Sequence, residues 1–184
     1  LEVKDNVEIS GKVTGPLIQN VNGNNGTLYA HLVISGGTIK DLTAGSSLIS
    51  APGDTSFSVK NLTIENCTVS NGALIAAGSK TLNLSDVTIT NNVTTAGAIT
   101  VGESGKLKVS GDVVVKDNTA DGVAKNIVPT NATNLELAGL LGEKAKIGVS
   151  LGSKGAVFGR NAITDEVTPA ELKASAAKIS GEPS

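Results

Sequence analysis

Asp and Asn residues recur in this chain at a fixed interval, with its one Cys among them, so its chemistry depends on which of these become neighbours. Asp41, Asn66, Asn91 and Asp117 form one spaced set. Asn61 and Asp86 begin a second, which continues at Gly111 or Asp112, depending on where one extra residue sits. If equal positions stack, Asp86 and Asp112 are the one pair of acids that would meet. Cleavage of a glycosidic bond needs two carboxylates close together, one as acid and one as base or nucleophile. Clusters of Asp also hold calcium. No third acid joins this pair, and both members sit at Ser-Asp or Gly-Asp turns, where Asp caps backbone groups. Capping is therefore the expected role. Cys67 is the single cysteine and cannot form an internal disulfide. It stands among strand residues and reads as a small buried hydrophobe. His31 is the single histidine and has no His or Cys partner for a metal. No nucleophile-elbow motif is present. Catalytic, metal-binding and cofactor-binding residues are assigned to none of these positions, and no cofactor is expected.

Two further sets bear on binding. Asn66, Asn91, Asn92, Asp117 and Asn118 gather at one corner of the repeat. They would form a binding ridge if they faced outward. Inward, they would hydrogen-bond the copies above and below, which is the expectation. Thr38, Thr63 and Thr88 form an outward rank, interrupted by Val114 and flanked by Lys40 and Glu65. One broken rank is a poor ice-binding face, and Thr suits exposed strands for its β-propensity alone.

The elements that position these residues are repeats. Phe57, Leu82 and Leu107 stand 25 residues apart, as do Val59, Leu84 and Val109. Leu32 and Ile34 precede them by the same step. Ile39, Ile64 and Ile89 form another column, which Val115 continues after the extra residue near Gly111. Leu42, Cys67, Asn92 and Asn118 form a further one, and so do Ala44, Val69, Thr94 and Ala120. Ser47, Gly72 and Gly97 make the last. Val7 and Ile9 fit one more copy, with Gly11 in place of Gly36, and QNVNGNNG reads as a loop insertion. Each copy splits into three short runs in which apolar residues alternate with polar ones, the period of a strand. Gly, Asn and Asp between the runs allow positive φ. The linkers are too short for pairing within a copy, so the strands must pair with equivalent strands of the next. One coil alone buries too little to offset its ordering entropy, whereas stacked coils share ladders and side-chain contacts.

The fold class expected is therefore all-β, a single-stranded parallel β-helix: a solenoid of about five 25-residue coils over residues 1–125. Residues 126–164 read as an irregular last coil and cap, since an open apolar edge must be covered. Residues 165–184 read as a short helix and tail. There, Thr168-Pro169-Ala170-Glu171 is a capping box, the helix runs to Ile179, and Gly181 stands past its end. The structural ladder is Phe57, Leu82 and Leu107 on one face, Ile64, Ile89 and Val115 on another, and Asn92 with Asn118 at the corner.

Composition narrows the partners. The chain has 184 residues, 22 glycines, two Phe, one Tyr and no Trp, so large aromatics cannot fill a compact centre. A net charge of −2 with no basic run argues against nucleic acid. No apolar run is long enough to span a bilayer. The start at Leu1-Glu2 reads as that of an excised or mature segment, with any targeting signal outside it.

The copies VTITNNVTTAGAITV and VVVKDNTADG resemble the repeats of polymorphic outer-membrane proteins and related autotransporter-like bacterial surface adhesins. Ile89, Asn92, Gly97, Ala98 and Ile99 match the apolar-x-x-Asn and Gly-Gly-Ala-Ile motifs, and Val115 with Asn118 match in the next copy. NLELAGLLGEKAKIGVSLG is similar to the closing stretch after such repeats in large surface proteins of gut bacteria. The likeness covers residues 32–150. It departs from the pattern at Ala96, where the family has the first Gly, and at Ile89 and Val115, where it often has Phe. It implies a right-handed parallel β-helix at the cell surface. The function expected is a non-catalytic segment of an extracellular bacterial adhesin within a longer surface protein. It would bind a host or matrix protein or glycan, with residues 19–31 and 120–134 as variable contacts, or serve as a stalk without a ligand. The alternative is a polysaccharide-active β-helix, a lyase or glycoside hydrolase, marked by a carboxylate cluster on one face.

Overall fold

A computed structural model describes residues 7–19, 32–51, 56–150 and 169–182. The chain winds into a parallel β-solenoid of about five turns, with coils of about 25 residues and one short C-terminal helix. Three strand faces surround an aliphatic interior.

Face I is a five-stranded sheet built from Leu32–Ser35, Ser56–Lys60, Thr81–Ser85, Lys106–Gly111 and Leu135–Leu141. Its register pairs Leu32 with Phe57, Phe57 with Leu82, and Leu82 with Leu107. The alternation read from the sequence puts these residues inside: Phe57, Leu82 and Leu107 are fully buried. Face II carries Thr38–Ala44, Thr63–Glu65, Thr88–Thr90, Val114–Lys116 and Lys146–Val149. Here Ile39, Ile64, Ile89, Val115 and Ile147 lie one above another. Face III stacks Ile49–Ser50, Ala73–Gly78, Gly97–Val101 and Ile127–Pro129, with Ile49, Ile75, Ile99 and Ile127 in its core column.

The corners of each coil are set by backbone conformation. Asn61 and Asp86 adopt φ of 51° and 52°, and Asp41, Asn66, Asn91 and Asp117 lie between 49° and 58°. Asn and Asp tolerate this left-handed region better than other side-chain-bearing residues. Two columns of positive-φ positions therefore recur through the central coils, Asn61 and Asp86 in one and Asp41, Asn66, Asn91 and Asp117 in the other.

The first coil is offset from the register expected for it. Ile9 pairs with Ile39, not Ile34, and Gly11 pairs with Leu42 after a bulge, not with Gly36. The step here is 30 residues, so counting back by 25 misplaced the strand by five. On face III the ladder slips as well. The missing Cβ of Gly72 lets it lie against Ser47, but Gly97 pairs with Ala73. The Gly72 carbonyl instead accepts the Thr95 and Ala96 N–H groups.

Beyond Asn126 the period lengthens, and the face I ladder slips once, between Val109 and Gly111. Leu135 stacks on Leu107 after 28 residues, and Ile147 on Val115 after 32. The described part of the expected irregular cap is thus a full coil with longer corners; residues 151–164 lie outside the described residues. The helix is shorter than expected, Pro169–Ala176. Ile179 and Gly181 belong instead to a strand, Ile179–Gly181, that pairs with Lys146–Val149. Burying Ile179 over Ile147 extends the aliphatic column by one rung, which a solvent-facing helical turn would not do. Thr168, the expected N-cap, lies outside the described residues.

Candidate functional site

The Asn corner is a hydrogen-bond ladder built from inward-facing side chains. Asn92 Oδ1 accepts the Cys67 N–H at 2.8 Å, and Asn118 Oδ1 accepts the Asn92 N–H at 3.1 Å. The Nδ2 group of Asn92 donates to the Ile64 and Thr90 carbonyls, and that of Asn118 to Ile89 and Lys116. Each amide thereby satisfies backbone groups that a bend leaves unpaired. Cys67 holds the equivalent place one coil earlier. Its thiol faces the Ile39 and Glu65 carbonyls at 3.7 and 3.3 Å, a weaker copy of the Asn pattern. Burial pushes the thiol pKa up, so it is a poor source of thiolate. Asn66, Asn91 and Asp117, which the sequence grouped with these, are exposed turn residues and take no part in the ladder.

Beyond Asn118 the ladder continues through residues the 25-residue spacing did not mark. Asn126 Oδ1 accepts the Asn118 N–H at 3.1 Å. The Glu182 carboxylate then accepts the Asn126 N–H at 2.9 Å, the Asn126 Nδ2 group, and the Ser150 hydroxyl at 2.6 Å. Gly148 leaves room for it: a Cβ there would lie 2.4 Å from Glu182 Oε1. Nearby, Ser175 Oγ accepts the Leu141 N–H at 3.1 Å and Lys178 Nζ donates to the Gly142 carbonyl. The segment 169–182 is therefore clasped onto the last coil.

Asp86 and Asp112 do not stack as a pair. Gly111 takes the position over Asp86, with φ of 71°, and Asp112 is the additional residue. Asp86 Oδ1 accepts the Asp112 N–H at 2.9 Å, and Asp112 Oδ1 accepts the Lys144 N–H at 2.9 Å. Each carboxylate caps the backbone of the coil beyond it. Among the described residues no three His, Cys, Asp or Glu groups gather to hold a metal ion. His31 lies outside the described residues.

Thr38, Thr63 and Thr88 stand in register and half-exposed, with Val114 next in line. Of the two expected contact loops, residues 20–31 lie outside the described residues. The other contains a hairpin that the stacking pattern did not predict: Val123–Ala124 pairs antiparallel with Thr119–Ala120. Asp121 and Gly122 both have positive φ, the type I′ geometry that an Asp-Gly pair favours. That dipeptide was the available signal.

The outer side of face I holds a shallow depression of about 240 Å3. Two ranks line it, Val33, Ser58, Asn83 and Lys108 in one and Lys60, Ser85 and Ser110 in the other, with Val59 and Leu84 between them. The floor is low because most of these side chains are short. Ala138 adds a wall where the ladder slips between Val109 and Gly111. Lys106 holds Glu136 at 3.1 Å, and Lys108 reaches the same carboxylate only at 3.9 Å.

No known protein family, curated protein or solved structure matches this chain. Its class rests on the fold, a parallel β-solenoid. Among the described residues no helix is long and apolar enough to cross a membrane.

Proposed function

We propose that this chain is a non-catalytic β-helical segment of a bacterial cell-surface or secreted adhesin, joined to neighbouring domains of a longer protein. It binds a host or matrix protein or glycan through its exposed strand faces and corner loops. The observation that carries this reading is how the reactive groups are used. Asp86 and Asp112 accept backbone N–H groups, Cys67 is buried in the corner ladder, and the Asn amides are directed inward. The polar groups left on the surface lie on flat, repeating faces, which suit contact with an extended partner. The likeness of residues 32–150 to polymorphic outer-membrane protein repeats supports the same location and role.

The test is to incubate the chain with a panel of pectic and host glycans and with immobilised matrix proteins. Binding on the array with every glycan intact is the expected result. Depolymerisation of any glycan would overturn the non-catalytic reading in favour of a polysaccharide-active β-helix.

A further inference from the structure

We infer that the depression on face I is a subsite for an acidic saccharide, one sugar unit bearing a carboxylate or sulfate within a longer glycan. This rests on the binding role proposed above and commits it to one ligand class.

The argument begins with charge. The chain as a whole carries a net charge of −2. The outward positions of face I nevertheless hold Lys60, Lys106 and Lys108 against a single acid, Glu136. Glu136 is shared: Lys106 holds it at 3.1 Å, which leaves Lys108 at 3.9 Å under-neutralised. Lys60 has no ion-pair partner among the described residues. Asp86 and Asp112 stand at the adjacent corner, each with one oxygen bound to a backbone N–H. Two ammonium groups therefore flank the depression diagonally, on strands separated by one intervening strand.

Between them lie hydroxyl and amide groups. Ser85 and Ser110 present hydroxyls in register, about 4.8 Å from strand to strand, and Asn83, whose Nδ2 donates to the Phe57 carbonyl at 3.3 Å, presents its Oδ1 as an acceptor. Hydroxyl-rich ligands with one anionic group match this mixture, because Lys recognises carboxylate or sulfate as a point charge while Ser and Asn serve sugar hydroxyls. Nucleic acid fits poorly: among the described residues the face carries no outward aromatic side chain on which bases would stack, and too few cations for the phosphate density. A peptide strand would need a separate apolar pocket for each alternate side chain; the apolar lining here, Val33, Val59, Leu84 and Ala138, belongs to one shallow depression, the kind of surface on which the C–H face of a sugar ring also packs. The depression is small beside pockets that hold a whole drug-sized ligand. Affinity for a single unit is correspondingly weak and rises by avidity along a polymer.

The experiment titrates the chain by NMR with trigalacturonate, a hyaluronan tetrasaccharide, a sulfated disaccharide and a sialyllactose, each beside its neutral counterpart. Expected are shifts of the Asn83, Ser85 and Lys108 amides with one or more acidic ligands. Neutral counterparts should bind more weakly, and affinity should fall as salt rises. The double variant Lys60→Ala/Lys108→Ala should lose about tenfold in affinity, and Ser85→Tyr, which fills the depression, should abolish the shifts. All three substitutions lie at outward positions of face I, and thermal midpoints near wild type would show the fold intact. Equal binding of neutral and acidic ligands, shifts confined to other faces, or acidic binding that survives both variants would overturn the inference. Cleavage of a ligand that still binds at these residues would sink the non-catalytic reading and leave the subsite standing.

Discussion

Replacing Asn92 with alanine would remove four contacts: its oxygen from the Cys67 N–H, and its amide from Ile64 O, Thr90 O and Asn118 Oδ1. The buried groups left behind cannot reach water, so the expected loss is about 2–4 kcal/mol. It would be read as a lower denaturant midpoint with an unchanged m-value. Asn92→Asp should cost more, because it also buries a charge without a cation. Cys67 makes a prediction about pH. Burial raises its pKa, so the folded chain holds the thiol proton more tightly than the unfolded chain does. The contribution is full below the ordinary cysteine value of about 8.5 and is lost as pH rises through the raised folded value. Cys67→Ala should therefore show a smaller fall in thermal midpoint than wild type between about pH 8 and about pH 10. At this scale the sequence was partly legible. The spacing set Asn92 and Asn118 in one column with Leu42 and Cys67, but the expectation of an inward side chain covered all five corner residues and held for these two alone. Asn66 and Asn91 have the same letter but sit one position earlier on the bend, and spacing by itself does not say which of two adjacent amides turns inward.

The clasp is the element with the largest consequence for the C-terminal end. Glu182 joins Asn126 across 56 residues of chain, and no periodicity links such positions, so this partner could not be read from the sequence. Glu182→Gln puts an amide against the Asn126 and Ser150 donors and should cost about 1–3 kcal/mol. Gly148→Ala forces a Cβ to within 2.4 Å of Glu182 Oε1 and should release the same segment. Hydrogen exchange is the measurement: the Asn126, Ile147 and Glu182 amides should lose protection in both variants while Leu82 and Ile89 keep theirs. Uniform loss of protection would show that the clasp is not a separate unit. The last coil teaches a related lesson. Its columns survive while its corners lengthen to 28- and 32-residue steps, so counting residues failed where aligning apolar alternation would have succeeded. The Asp121–Gly122 hairpin was local and could have been read from the dipeptide alone.

Across the whole molecule, stability is shared between neighbouring coils rather than gathered at one centre. A truncation in the middle of a column should therefore cost more than one at its end. Leu82 is fully buried between Phe57 and Leu107, whereas Leu32 is 8% exposed at the first described strand of face I. Leu82→Ala should cost about 2–5 kcal/mol and Leu32→Ala clearly less, by equilibrium denaturation. The overall architecture was legible because the same letters recur at the same step in four copies, and each face repeats its own apolar column. The outward positions of face I carry no such repeat, and the depression arises from the mixture of long and short side chains that the spacing does not encode. The most direct test of the stack is a methyl and aromatic NOE experiment on the full chain. Leu82 methyl groups should show contacts to both the Phe57 ring and the Leu107 methyls, and Ile89 to both Ile64 and Val115. A spectrum in which Leu82 contacts neither neighbour, with Ile89 equally isolated, would contradict the solenoid and every surface assignment built on it.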